Sequence, residues 1–268
     1  MSIRKTAVSG TFYPNSEVEI KNFIDSFNKS FTLENSKPLD IKAVIVPHAG
    51  YVYSGFTANL AYNLSTTINT NKNIKRVIVI GPSHRVYLEG SSIALFDNYE
   101  TPLGDIKIDL EYSKKLKQNF PFLNFFEEAH QEHSTETQAP FIKNYFNQIE
   151  FIEIVYGKQD FAQLSTLIDT LLEDGENFIV ISTDLSHFYT LDEAKKLDGI
   201  CLKAIESMDL ELFEKGCEAC GKIGVKAMVK SGLNKGLKTK LLHYCTSYDR
   251  TKDDKRVVGY TSALLIKE

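Results

Sequence analysis

The chain lacks tryptophan altogether, and its 268 residues include only three methionines, seven prolines and four cysteines. No run approaches the roughly 18 apolar residues of a membrane-spanning helix, so no transmembrane anchor is expected. Met1 to Thr11 has no apolar core of signal-peptide length, which sets the expectation of a cytoplasmic protein. An excess of basic charge is also missing. Lysine and arginine number 31 against 35 acidic residues, for a net charge of −4. That balance gives no footprint for nucleic acid and no polybasic support for a membrane surface. Cysteines stay reduced in the cytosol, so Cys201, Cys217, Cys220 and Cys245 are expected as core residues or ligands rather than disulfides. Cys217 and Cys220 form a C-x-x-C pair, but no second pair exists to complete a structural zinc site. Repeats, low-complexity tracts and linkers are absent too, so one domain over residues 1–268 is expected.

What is present is a threefold pattern of apolar run, turn and histidine. It reads Ala43-Val44-Ile45-Val46-Pro47-His48, then Val77-Ile78-Val79-Ile80-Gly81-Pro82-Ser83-His84. The third copy is Phe178-Ile179-Val180-Ile181-Ser182-Thr183-Asp184-Leu185-Ser186-His187. Unalternating β-branched runs of this length belong to strands buried on both faces, which occur mainly in parallel sheets covered by helices. Ligands of open α/β sheets bind beyond the carboxyl ends of such strands. Half of the six histidines therefore stand where parallel strands deliver functional groups.

The remaining pattern alternates. Strands are predicted at 42–46, 76–80, 91–96, 151–155 and 177–181. Helices are predicted from about Ser54, near 109–118, around 137–148, over 159–173, and at 191–208, 209–216 and 221–232. Residues 28–40 read as a polar loop, and 239–247 and 256–266 as two antiparallel strands joined by a charged turn. The order predicts a three-layer α/β/α sandwich around a mixed, mainly parallel sheet rather than a barrel, because the alternation breaks after residue 190.

Several constellations carry chemistry. His48 lies in a turn with two glycines and a proline, just before a helix for which Ser54 is the expected cap. A neutral imidazole there is a good metal ligand, although it could also simply order the loop. His84 repeats the logic. Asp184, three residues before His187, could orient that ring, while His187 could act as a general acid/base. In Glu132-His133-Ser134-Thr135-Glu136, either hydroxyl could cap a helix that holds Pro140 in its first turn, and His133 and Glu136 could line the cleft beside Tyr51 and Tyr53. Cys220, before a helix, could be a thiolate ligand or a small buried hydrophobe. His130 and His243 read as structural.

Taken in order, these motifs resemble the Memo family. The resemblance rests on Pro47-His48-Ala49-Gly50-Tyr51, Gly81-Pro82-Ser83-His84, Glu132-His133-Ser134, Ser182-Thr183-Asp184-Leu185-Ser186-His187, Ala219-Cys220-Gly221 and the opening from Arg4 to Pro14. It covers nearly the whole chain. Memo proteins are similar in fold to class III extradiol dioxygenases, which use non-haem iron(II). The resemblance implies a metal held by His48, His84 and Cys220, with catalytic Asp184 and His187 facing the same pocket. Cys220 would stand where those dioxygenases place a carboxylate, which softens the donor set toward copper(I) or zinc. The resemblance thus implies a redox-active iron or copper centre acting on a small molecule. The alternatives are a zinc-dependent hydrolase and a non-catalytic adaptor for an anionic or phosphorylated peptide of a partner protein.

Overall fold

The strands and helices are taken from a computed structural model that describes residues 1–31 and 37–268. The loop expected over 28–40 lies partly outside those residues. In chain order the principal elements are α1 (Glu17–Asn28), β1 (Asp40–Val46), α2 (Tyr51–Thr67), β2 (Arg76–Pro82), β3 (Ser91–Ile93) and α3 (Leu110–Asn119). They continue with α4 (His133–Glu136), α5 (Ala139–Tyr145), β4 (Glu150–Tyr156), α6 (Phe161–Glu173), β5 (Asn177–Ser182) and β6 (His187–Tyr189). The last are α7 (Leu191–Ser207), α8 (Lys222–Asn234), β7 (Leu237–Thr246) and β8 (Val257–Lys267).

The apolar runs form the parallel centre of one large mixed sheet, in the order β1, β5, β2, β4. On one side β8 lies antiparallel to β1, with β7 and β6 antiparallel to β8. On the other, β3 runs antiparallel to β4. Antiparallel strands thus flank the parallel centre on both sides. Because side chains alternate along a strand, each run feeds both faces. Val44, Val46, Val77, Val79, Phe178 and Val180 pack toward α1, α2 and α5. Ile45, Ile78, Ile80, Ile179 and Ile181 pack toward α6, α7 and α8. Burial on both faces is why these runs carry no polar alternation.

Local chemistry sets the ends of the helices, and some differ from expectation. Gly50, not Ser54, is the N-cap of α2, and Ser54 donates its hydroxyl to the Ala49 carbonyl. The helix expected around 137–148 is shorter, α5 at Ala139–Tyr145, and the separate one-turn α4 precedes it at His133–Glu136. Pro140 falls in the first turn of α5, where its missing N–H leaves no helical bond unmade. The segment 209–216 holds only a one-turn 3₁₀ helix at Leu212–Glu214.

The cysteines need a correction as well. Cys201 and Cys217 are disulfide-bonded, whereas Cys220 and Cys245 are free. After α7 the chain turns back through Met208 (φ 55°) and Gly216 (φ 116°). That return brings two cysteines 16 residues apart to a Cα separation of 4.8 Å. Among the described residues no helix is long and apolar enough to cross a membrane.

Candidate metal centre

The carboxyl ends of β1, β5 and β2 lie side by side, and the site is built on them. His48 follows β1 and His84 follows β2. These strands are not neighbours; β5 runs between them and ends in Ser182. His133 comes from the first residue of α4, across a long connection. The ring centroids lie 5.2 Å apart for His48–His84, 5.4 Å for His48–His133 and 4.6 Å for His84–His133. One ligating atom from each falls within 4.8 Å of the others, close enough to share a metal ion.

The surrounding hydrogen bonds decide which nitrogen each ring offers. Glu132 Oε1 lies 3.1 Å from His84 Nδ1 and 2.9 Å from His133 Nδ1. An ionised carboxylate only accepts, so both rings carry a proton on Nδ1, and their neutral form leaves Nε2 as the ligating atom. His48 Nδ1 lies 2.9 Å from Ser182 Oγ. That hydroxyl spends its single proton on the Ser134 carbonyl and accepts a bond from Gln138 Nε2. It can only accept from His48 as well, which again leaves Nε2 bare. His187 Nδ1 lies 2.9 Å from the Leu185 carbonyl, with the same consequence.

The electrostatics favour neutral imidazole at the floor. His48 is 1% exposed. Burial, then the neighbouring charges of His84 and His133, hold its pKa well below 6.5. Burial alone would raise Glu132, but hydrogen bonds from His133, His84 and the His84 backbone outweigh it and hold that carboxyl well down. Asp184 is raised by burial, opposed by the His48 backbone N–H that it accepts at 2.8 Å. Burial, reinforced by the charge of Asp184, pushes the Cys220 thiol up to about 12. The cleft opens outward from His48 to His84, whose side chain is 30% exposed.

The expected residues therefore divide. His48, His84 and His133 converge, and Cys220 Sγ lies 3.4 Å from His48 Nε2. Asp184 sits beside them, with Oδ2 3.9 Å from His48 Nε2. It bonds the His48 backbone rather than the His187 ring. His187 is half-buried, at the start of β6, and near enough for its charge to act on His48 and Asp184. Tyr51 is buried, donates to the Thr137 carbonyl and stacks on Phe141, while Tyr53 is exposed. Glu136 does not line the cleft. Its carboxylate accepts from the Ala7 and Val8 backbone, from Tyr13 Oη at 2.7 Å and from Arg4, all on the amino-terminal segment.

Sequence reasoning assigned no role to Glu132, Ser182 or Gln138. A glutamate directly before a histidine was the available signal for the first. His130, expected as structural, is buried between Ser92 Oγ and Glu153. His243, also expected as structural, bonds Thr57.

The Memo-like protein family model matches residues 4–264. The chain belongs to the Memo family. It is 33% identical to a MEMO1 family protein of Thermoplasma volcanium over 274 residues, covering 99% of each chain. A MEMO1 family protein of Methanocaldococcus jannaschii is 34% identical over 289 residues, covering 98% of this chain and 99% of that one. The Aquifex aeolicus member is 33% identical over 287 residues, with coverage of 99% and 100%. The fold is similar to that of a crystal structure of an uncharacterized protein from Escherichia coli K12. The TM-score is 0.56 at 10% identity, covering 84% of this chain and 99% of the other, so that likeness concerns the fold alone.

Proposed function

We propose that this Memo-family protein is a metal-binding, redox-active protein. Its single transition-metal ion, iron or copper, would be held by His48, His84 and Cys220, with His133 as a further imidazole donor. The observation that carries this reading is the convergence of three imidazoles, each with a ligating atom within 4.8 Å of the others. The charge balance supports it. One buried carboxylate, Glu132, is held ionised and has only histidines as ion-pair partners among the described residues. A buried charge is held by a counter-charge or a metal. The donor set suits the ion as well: imidazole is accepted by iron, copper and zinc, and a thiolate draws the preference toward copper(I) or zinc.

When bound, the metal supplies an electron-transfer or Lewis-acid centre for a small substrate. The chain does the rest. Ser182 and Glu132 fix the three rings, and Asp184 holds the His48 backbone. The bare Nε2 of His187 takes and returns protons beside the cleft. Exposure of His84 leaves an approach for substrate. The reading keeps the cytoplasmic location expected from the sequence, and it treats the chain as one domain.

Anaerobic purification, elemental analysis and oxygen uptake test it. Iron or copper near one per chain, with substrate-dependent oxygen uptake lost in His187→Ala, is expected. Activity that needs only zinc and no oxygen would instead establish hydrolysis. One observation favours that second reading: three converging imidazoles are a donor set that zinc uses to activate water.

A further inference from the structure

The buried acceptor Glu132 serves more than one role at once. Its side chain is fully buried, and one carboxylate takes four donors. Oε1 faces His84 Nδ1 (3.1 Å), His133 Nδ1 (2.9 Å) and the Ser134 backbone N–H (3.1 Å). Oε2 accepts the His84 backbone N–H at 2.6 Å. The first two bonds fix ring orientation, the third caps α4, and the fourth fixes the turn that follows β2. The two rings belong to elements 49 positions apart in sequence, yet they share a single oxygen. In turn, the Glu132 carbonyl accepts from Arg4 Nη2 at 3.3 Å, so the residue is held at both ends.

We infer that Glu132 is the positioning residue of the metal centre, aiming the Nε2 atoms of His84 and His133 at one point as a single unit. The inference rests on the metal reading above. Ser182 does the corresponding work for His48 alone. A hydrogen-bonded carboxylate behind a ligating imidazole also raises its basicity, and losing such a partner costs about 10–100-fold in metal affinity. Glu132 backs two imidazoles, so its loss exceeds that of Ser182.

A residue that merely capped α4 behaves differently, and the test turns on that difference. Serine is a good N-cap, but it is too short to reach either ring. Glu132→Ser therefore preserves a capping role and removes the positioning role. Glutamine keeps one accepting oxygen for the rings but presents an N–H₂ group to the His84 backbone N–H, so Glu132→Gln is a partial rescue. Cobalt(II) is the probe, titrated into metal-free protein and read by its d–d absorption.

The expected order of affinity is wild type, then Glu132→Gln, then Glu132→Ser, the last weaker by about 10–100-fold or more, with an altered d–d spectrum. Ser182→Ala falls less than Glu132→Ser. Wild-type affinity and spectrum in a folded Glu132→Ser overturn the inference and leave the metal reading standing. No cobalt binding by wild type overturns both. Should the variants fail to fold, ¹⁵N NMR of the histidine rings in metal-free wild type decides. Protons on Nδ1 of both His84 and His133 are expected, and an Nδ1 without a proton in either ring overturns the inference.

Discussion

At the scale of single residues, two fully buried acids of similar sequence context do opposite work. Glu132 faces the histidines. Glu136, one helical turn on, faces Arg4, whose side chain is as buried as its own. Removing one partner of such a pair strands the other charge in a dry interior, at a cost of about 3–5 kcal/mol. Glu136→Ala is therefore expected to lose stability of that size in denaturant melts, with cobalt affinity of the folded fraction unchanged. A cleft-lining role would give the reverse. Glu153 supplies the pH dependence. Burial alone would raise its pKa, but the charge and hydrogen bond of His130, together with Arg4, outweigh burial and hold it below 4.5. Its unfolded-state pKa is thus the higher one, so the native state gains stability above about pH 4.5 and loses it as the pH falls below that value. Melts between pH 7 and 3 are expected to show a shallower acid loss in Glu153→Gln than in wild type.

At the scale of elements, close backbone approach positions Cys220. Its N–H donates to the Asp184 carbonyl at 3.2 Å, and the next residue, Gly221, donates to Thr183 Oγ1 at 2.9 Å. A Cβ at Gly221 would lie 2.6 Å from the Thr183 side chain and 2.7 Å from the Ser182 carbonyl oxygen. The start of α8 can therefore seat against the end of β5 only with glycine there. Gly221→Ala is expected to cost about 1–3 kcal/mol through overpacking and to shift the sulfur away from His48. Denaturant melts and the thiolate-to-cobalt charge-transfer band measure the two effects. An unshifted band with unchanged stability would show that the contact does not set the cysteine.

At the scale of the whole molecule, what was legible followed from physics local to the chain. β-branched runs and the turns after them announced the parallel centre of the sheet and placed His48 and His84 at its carboxyl edge. What was hidden depended on long-range partners. Arg4 meets Glu136 across 132 positions, and no local spacing reveals that a glutamate on a one-turn helix answers to the amino terminus. The cap expected from Ser134 or Thr135 is Glu132 instead, and its bonds to two imidazoles exist only once β2 and α4 lie together. The cysteines were read through the redox state of a compartment, whereas the return of the chain after α7 joined Cys201 to Cys217. Residue 133, expected only beside the cleft, joins the other two imidazoles because α4 packs over the end of β2. The measurement that bears most directly on this account is a cobalt(II) titration of metal-free protein, wild type against His48→Ala and His84→Ala. One ion per chain in wild type, and loss of that binding in both variants, is the predicted result. Undiminished one-to-one binding in either variant would contradict it.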